Sequence, residues 1–216
     1  MTSIKIAVIT GGHPFDLQPF HELFRSMPGI DAYIQHTDEF TSEPAAVREG
    51  YAALVFYSMF RDTPSDEAPW FAGKPKSALE RLGETQQGIV LLHHALLAYR
   101  DWTMWDDLVG IPNRVMRSYH PNERIRVEVA DPQHPIARGI TAWEMIDETY
   151  VMPEAAPGNH VFLTTQHPKC VRTVGWTRQY KQARVFCFQS GHGHATYAEP
   201  NFRAILANGI HWTVGD

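Results

Sequence analysis

Apolar residues in this chain follow two rhythms, and the alternation between them sets out the fold. Short unbroken apolar runs occur at Ile4–Thr10, Ala52–Tyr57, Ile89–Leu92 and Arg184–Gln189. Runs without polar alternation are the mark of strands buried on both faces, as in a parallel sheet covered by helices. Between them the period lengthens. Phe20, Leu23, Phe24 and Met27 recur at i, i+3, i+4 and i+7, which predicts a helix with one buried face, opened by Asp16 as its cap and closed by Pro28–Gly29. A second strand is predicted over Asp31–His36 and a helix within Trp70–Gln86, with Leu79 and Leu82 inward. This β-α-β-β-α-β-α order points to a parallel α/β sheet.

Past Tyr99 the pattern is less regular. Trp102, Trp105, Leu108 and Val109 predict a short helix, and residues 110–121 a loop. Strands follow at Glu123–Ala130, Val161–Thr165 and Arg172–Trp176, and Glu144–Met152 contains an acidic stretch, Asp147–Glu148, that leads into Tyr150. Pro200 opens a last helix whose apolar face is Phe202, Ile205, Leu206 and Ile210, with Gly215 just past its end. No repeat, low-complexity tract or linker interrupts the chain, so residues 1–216 read as one domain.

Three of the core strands run directly into histidine: Gly12–His13 after the first, His93–His94 after Ile89–Leu92, and His192 with His194 after Arg184–Gln189. In a doubly wound sheet these ends share one edge, where ligands bind. Imidazole has a pKa of about 6.5, so it trades protons at neutral pH, and its neutral form ligates metals. The H-x-H of His192–Gly193–His194 puts both rings on one side if extended and parts them if the flanking glycines turn it. Asp147 and Glu148 are candidate acid, base or ligand groups; the alternative is a solvated strand entrance. Trp102 and Tyr197 are candidates to stack on a sugar ring, against the plainer reading of core packing.

Composition narrows the class. The 216-residue chain is 44% hydrophobic and 20% charged with a formal net charge of −5. It has no basic run to suggest nucleic acid and no apolar stretch near the ~20 residues that cross a bilayer. The first strand starts at once, without a signal-peptide pattern. The only cysteines, Cys170 and Cys187, lack C-x-x-C spacing, so a reduced cytoplasmic protein is expected.

A set of ordered segments resembles the ThuA-like family, named for trehalose utilisation: VITGGH, ALVFY, GIVLLHHAL followed by W-x-x-W-x-x-L-x-G, HPIARGI, DETYV, VGW, ARVFCFQSGHGHATY and PNFRAILANGIHW. The resemblance implies a flavodoxin-like, class I glutamine-amidotransferase-like three-layer α/β sandwich with a mostly parallel central sheet. It also implies a role near disaccharide or keto-sugar catabolism. Ala183 stands where the family often has glycine, and Cys187–Phe188 where it often has Tyr-Thr. Amidotransferase relatives carry a nucleophilic cysteine at a strand-to-helix elbow; the matching turn here, Leu92–His93–His94–Ala95, has none, so glutaminase activity is not expected.

The expected function is therefore acid–base chemistry on a disaccharide or keto-sugar. His93, His192, Glu148 and Asp147 are the catalytic candidates, and His13, His94, His194, Trp102 and Tyr197 the substrate-binding ones. The alternatives are a non-catalytic carbohydrate-binding or regulatory module, and a hydrolase using a divalent metal such as zinc held by His13, His94 and His192. The strict spacing H-E-x-x-H is absent, which disfavours the metal. A small carbohydrate is the expected partner, with homo-oligomerisation left open and no nucleic acid or membrane.

Overall fold

The computed structural model describes residues 3–215. Nine strands join one sheet in the order β2-β1-β3-β4-β9-β8-β7-β5-β6. The parallel block consists of β1 (Ile4–Gly11), β2 (Ile30–His36), β3 (Ala53–Ser58), β4 (Gly88–Leu92) and β9 (Ala183–Phe188). All four of the unbroken apolar runs map onto its strands, with only Ala52 and Gln189 one residue outside β3 and β9. Its strands sort alternate residues to two cores. Ala7, Ile9, Leu54, Phe56, Ile89 and Leu91 pack on one face, with Phe40, Leu79 and Leu108. Ile6, Val8, Val55, Tyr57, Val90 and Leu92 pack on the other. Helices cover both faces. On the first lie α2 (Thr37–Ser42), α4 (Pro75–Glu80) and α5 (Thr103–Val109); α3 (Ala45–Arg48) is a single turn with no buried residue. On the second lie α1 (Leu17–Arg25) and α7 (Pro200–Val214), with the single turn α6 (His194–Tyr197) between β9 and α7.

Beyond β9 the sheet changes character. Strands β8 (Thr173–Tyr180), β7 (His160–Thr165), β5 (Ser118–Val129) and β6 (Trp143–Val151) are antiparallel to their neighbours. The reason is connection length. Only Lys181–Gln182 separates β8 from β9, and a two-residue link can join only antiparallel strands. In β5, Ile125 and Val127 are buried while Arg124 and Arg126 point outward, the alternation of a sheet with one wet face. β5 pairs with β7 only over Val127–Val129, so its first half and β6 form a two-stranded ribbon with a register shift between His120 and Glu123.

Several local expectations are revised. The helix expected within residues 70–86 is a 3-10 turn at Trp70–Ala72 followed by α4, because Gly73 takes a left-handed φ of 66° and breaks the path. The loop expected to reach residue 121 ends earlier, since β5 begins at Ser118 and holds Pro121 at its irregular stretch. Asp16 does precede α1, but its carboxylate makes no cap; it accepts from His194 instead. The last helix is as expected, with Pro200 in its first turn and Gly215 left-handed at its end.

Buried His134 packs on the antiparallel half. Its ring stacks on Phe162 at 4.3 Å, meets the Thr177 hydroxyl at 3.2 Å, and accepts from the Ile136 amide. Burial, with the nearby charge of His160, pushes its pKa down to about 4 against the opposing pull of Asp131. The unfolded chain therefore takes up this proton at about pH 6.5 while the native state does not. Stability should fall as pH drops from about 6.5 towards 4. In His134→Gln, urea denaturation across this window should show a slope shallower by up to about 1.4 kcal/mol per pH unit; an unchanged slope would refute the assignment.

Candidate active site

The C-terminal ends of β1, β4 and β9 bring four imidazoles together. Ring centroids lie 4.5 Å apart for His13 and His94, 5.9 Å for His13 and His192, 5.3 Å for His93 and His192, and 5.4 Å for His93 and His94. The centre of the group is His93, directly after β4. Its backbone is left-handed, with φ 52°, which a non-glycine residue adopts at a cost. The apolar segment after it forms a 3-10 turn, His93–Leu97, not an α-helix. Buried Arg114 holds this turn by donating to the carbonyls of Leu96, Ala98 and Tyr99 while paired with Asp106 at 2.6 Å.

Two bonds aim the His93 ring. Nδ1 lies 2.6 Å from the Gln189 carbonyl, and a carbonyl only accepts, so Nδ1 carries the proton. Nε2 lies 2.6 Å from the Tyr150 hydroxyl, from which it accepts when it carries no proton. The strand register explains the first bond: Leu92 pairs with Phe188, so the residues that follow them meet. Tyr150 is fully buried, and burial together with the Glu148 and Asp147 charges raises its pKa far above the usual range, keeping it a proton donor.

Glu148 stands between the two working histidines, Oε1 3.6 Å from His93 Nε2 and Oε2 3.7 Å from His192 Nε2. Burial pushes its carboxyl up. The His93 hydrogen bond and charge, the His192 charge and the Tyr150 hydroxyl outweigh that, leaving the pKa below the ordinary value. His192 is held below its ordinary pKa by burial and by the His93 charge, against Glu148 and Asp147, so its ring is neutral at pH 7. Beside them opens a hollow of about 210 Å³ bordered by Asp16, Asn122, Glu148, His192 and His194. That is below the roughly 300–1,000 Å³ of drug-sized pockets, and the carboxylates, imidazoles and amide along its border suit a small hydroxylated molecule.

Several candidates take other roles. Asp147 is no solvated entrance residue: it borders the hollow beside Glu148, but its carboxylate oxygens are engaged by the neighbouring backbone. Buried, it accepts from the amides of Glu148, Gly191 and His192 at 2.9, 2.8 and 3.0 Å and from the Thr196 hydroxyl at 2.9 Å. It is a clamp that fixes the loop carrying His192. His94 is completely buried with neither ring nitrogen hydrogen-bonded, and burial drives its pKa well down, so it is a neutral packing ring beneath His13 and against Tyr57. His13 is only partly buried, and its Nδ1 donates to the Pro14 carbonyl at 2.6 Å. His194 borders the same hollow as His192 but turns to Asp16 at 2.8 Å on its rim.

Neither aromatic candidate offers a stacking face to a sugar. Trp102 is buried against Tyr99 and Trp105 in the core, and Tyr197 lies beneath the His192 loop, its hydroxyl 2.7 Å from that of Tyr57 and its ring against Phe20. The metal set His13, His94 and His192 is not the one assembled; the ligand-type atoms that lie within 4.8 Å of one another belong to His93, Glu148 and His192. The His94 nitrogens are enclosed with the core, which takes it out of any such group.

Sequence reading missed Tyr150 and Gln189. Tyr150 was detectable: residues two apart on a strand share a face, so Glu148 and Tyr150 point together while Asp147 points away. Gln189 acts through its backbone carbonyl on His93, which no side-chain pattern reveals. Neither cysteine is activated. Burial raises the Cys170 thiol to about 12 and holds Cys187, inside β9, higher still.

A family model described as ThuA, trehalose utilisation, matches residues 16–213. Among curated proteins no sequence matches. Solved structures do. A ThuA-like protein from Parabacteroides merdae aligns with TM-score 0.75 at 17% identity, covering 99% of this chain and 91% of that one. One from Bacteroides uniformis aligns with TM-score 0.75 at 16% identity, covering 98% and 92%. A glutamine amidotransferase from Thermotoga maritima aligns over 100% of both chains with TM-score 0.57 at 10% identity. At these identities the likeness concerns the fold, and it makes this a flavodoxin-like, amidotransferase-like α/β architecture.

The two adjacent carboxylates can be told apart by stability. Asp147→Asn turns an amide N–H₂ towards donors and should cost about 1–3 kcal/mol in urea denaturation, with faster hydrogen exchange at the Gly191 and His192 amides. Glu148→Gln should leave both measurements close to wild type. Equal effects would mean that the division of labour is wrong.

Proposed function

Because the chain belongs to the ThuA family, we propose that it is an enzyme of carbohydrate metabolism that moves protons on a disaccharide or keto-sugar. One observation carries this reading. An imidazole whose Nδ1–H is held by a carbonyl, a buried phenol, a carboxylate and a second imidazole are hydrogen-bonded or in near contact beside a small hollow. Such a set both takes and returns a proton.

The roles follow from exposure and partners. His192 is half-exposed at the hollow and accepts the proton from carbon or hydroxyl. Glu148 stabilises the imidazolium that results. His93 and Tyr150, fully enclosed and hydrogen-bonded to each other, back the carboxylate, and His192 itself returns the proton. His194, Asp16 and Asn122 at the rim are placed to bind sugar hydroxyls. With a ketone beside the reacting carbon, loss of the C–H proton gives an enediolate, and its reprotonation at the neighbouring carbon is isomerisation. If a leaving group lies on the next carbon, its departure is elimination. Each outcome is balanced without a redox partner.

Glutamine hydrolysis does not fit. The elbow residue is an imidazole, and both thiols are pushed up by burial. No helix among the described residues is long and apolar enough to cross a membrane, in keeping with the proposed cytoplasmic location.

Turnover should appear in a screen of disaccharides and their 3-keto derivatives. His192→Ala and Glu148→Gln should each lower kcat by about 100-fold or more. A ligand that binds but is never converted would replace the enzyme reading with a carbohydrate-binding module. Iodoacetamide should leave the activity intact, whereas inactivation that tracks labelling of Cys170 or Cys187 would restore a thiol mechanism.

A further inference from the structure

We infer that His93, Glu148 and His192 form a three-ligand site for a divalent transition-metal ion, with Zn²⁺ the best match to the donor set. The donor atoms lie within 4.8 Å of one another, with Glu148 bridging the two imidazoles at 3.6 and 3.7 Å. For metal bonds of about 2.0–2.1 Å, the edge of a tetrahedron is about 3.3 Å. The 3.6 and 3.7 Å separations, which run from the two oxygens of Glu148, exceed this by a few tenths of an ångström, and the remaining edges lie within 4.8 Å, so side-chain rotation is needed to draw the three ligands onto one ion. Two nitrogens and a carboxylate oxygen suit a transition ion and disfavour Mg²⁺ and Ca²⁺, which take oxygen.

Second-sphere contacts strengthen the case. A metal-bound histidine nearly always donates its other ring N–H to a carbonyl or carboxylate, which fixes the tautomer and aims the lone pair. His93 does this with the Gln189 carbonyl at 2.6 Å. The same Gln189 holds the backbone of Glu148 through its side-chain amide at 3.1 Å, and Asp147 fixes the His192 loop from behind. All three ligands are thus braced by groups that are not ligands. The Tyr150 hydroxyl now occupies the His93 lone pair. When an ion takes that lone pair, the hydroxyl turns to Glu148, which its position already favours. The fourth position faces the 210 Å³ hollow bordered by Glu148 and His192, so it stays open to water or to a substrate oxygen. Three protein ligands with one open position is the pattern of a catalytic zinc, not a structural one.

This inference rests on the reading of the pocket as the reaction centre, but not on the proton route given above. With an ion seated, the lone pairs of His93 and His192 belong to the metal. An ion held there would supply Lewis-acid polarisation of a substrate oxygen at its open position, and His192 would serve as ligand rather than base.

The test uses tag-free full-length protein stripped with chelator, titrated calorimetrically with Zn²⁺ and followed with Co²⁺ by visible absorption. One equivalent should bind, and Co²⁺ should give the intense bands of a tetrahedral or five-coordinate centre. His192→Ala and Glu148→Gln, each confirmed folded by circular dichroism, should weaken Zn²⁺ at least about 100-fold, and His194→Ala should not. No stoichiometric binding to the stripped wild type would overturn the site, as would binding that survives both ligand substitutions or fails in His194→Ala. The two readings separate cleanly. Full sugar turnover by chelator-treated protein refutes the metal and keeps the proton-transfer enzyme. Stoichiometric metal without any sugar turnover keeps the site and refutes the proposed reaction.

Discussion

The pair of bonds on His93 is the constraint around which the site is built. A left-handed residue at the end of a buried strand is unfavourable, and nothing in its own backbone keeps it there. It persists because Nδ1 is tied to the β9 side of the site through Gln189 and Nε2 to the antiparallel ribbon through Tyr150. One imidazole therefore joins the two halves of the sheet. The register of β4 on β9 delivers the first partner. The second arrives because the β5–β6 ribbon leaves β7 and lays β6 against Val171 and Gln189. A change to either half displaces the ring.

Neighbouring carboxylates do opposite work here, and strand geometry is the reason. Alternate residues of β6 point to opposite sides. Asp147 points to the loop after β9 and spends its oxygens on three amides and a hydroxyl, so it is consumed by structure. Glu148 points to the histidines, makes no such backbone bonds and stays available for chemistry. Two histidines separated by one residue divide in a similar way: His192 turns to Glu148, and His194 pairs with Asp16 at the rim.

The architecture is shared with amidotransferases, and the elbow position is shared with the resemblance seen in the sequence, but the chemistry placed there differs. An imidazole enclosed by a carbonyl and a phenol is no nucleophile for an amide. It is suited to passing a proton or to holding a cation. A common fold thus constrains where the reactive residue stands and leaves its identity free.

Much of this was legible in the sequence because it depends on local rules. Unbroken apolar runs such as IVLL and VFCF mark strands buried on both faces, and the histidines directly after them must stand at a sheet edge. His13, His93 and His192 are brought together for that reason. Tertiary structure alone decided the rest. Which of His93 and His94 faces the site depends on one backbone angle, and a dipeptide carries no sign of it. Trp102 and Tyr197 read more plainly as core than as a sugar platform, but it took packing against Trp105 and Phe20 to place them there. The antiparallel half of the sheet, the register shift in its ribbon and the acceptance of the His93 Nδ1 proton by the Gln189 carbonyl all arise between segments distant in sequence. Periodicity reports which side of an element is buried, but not what another element will bring against it.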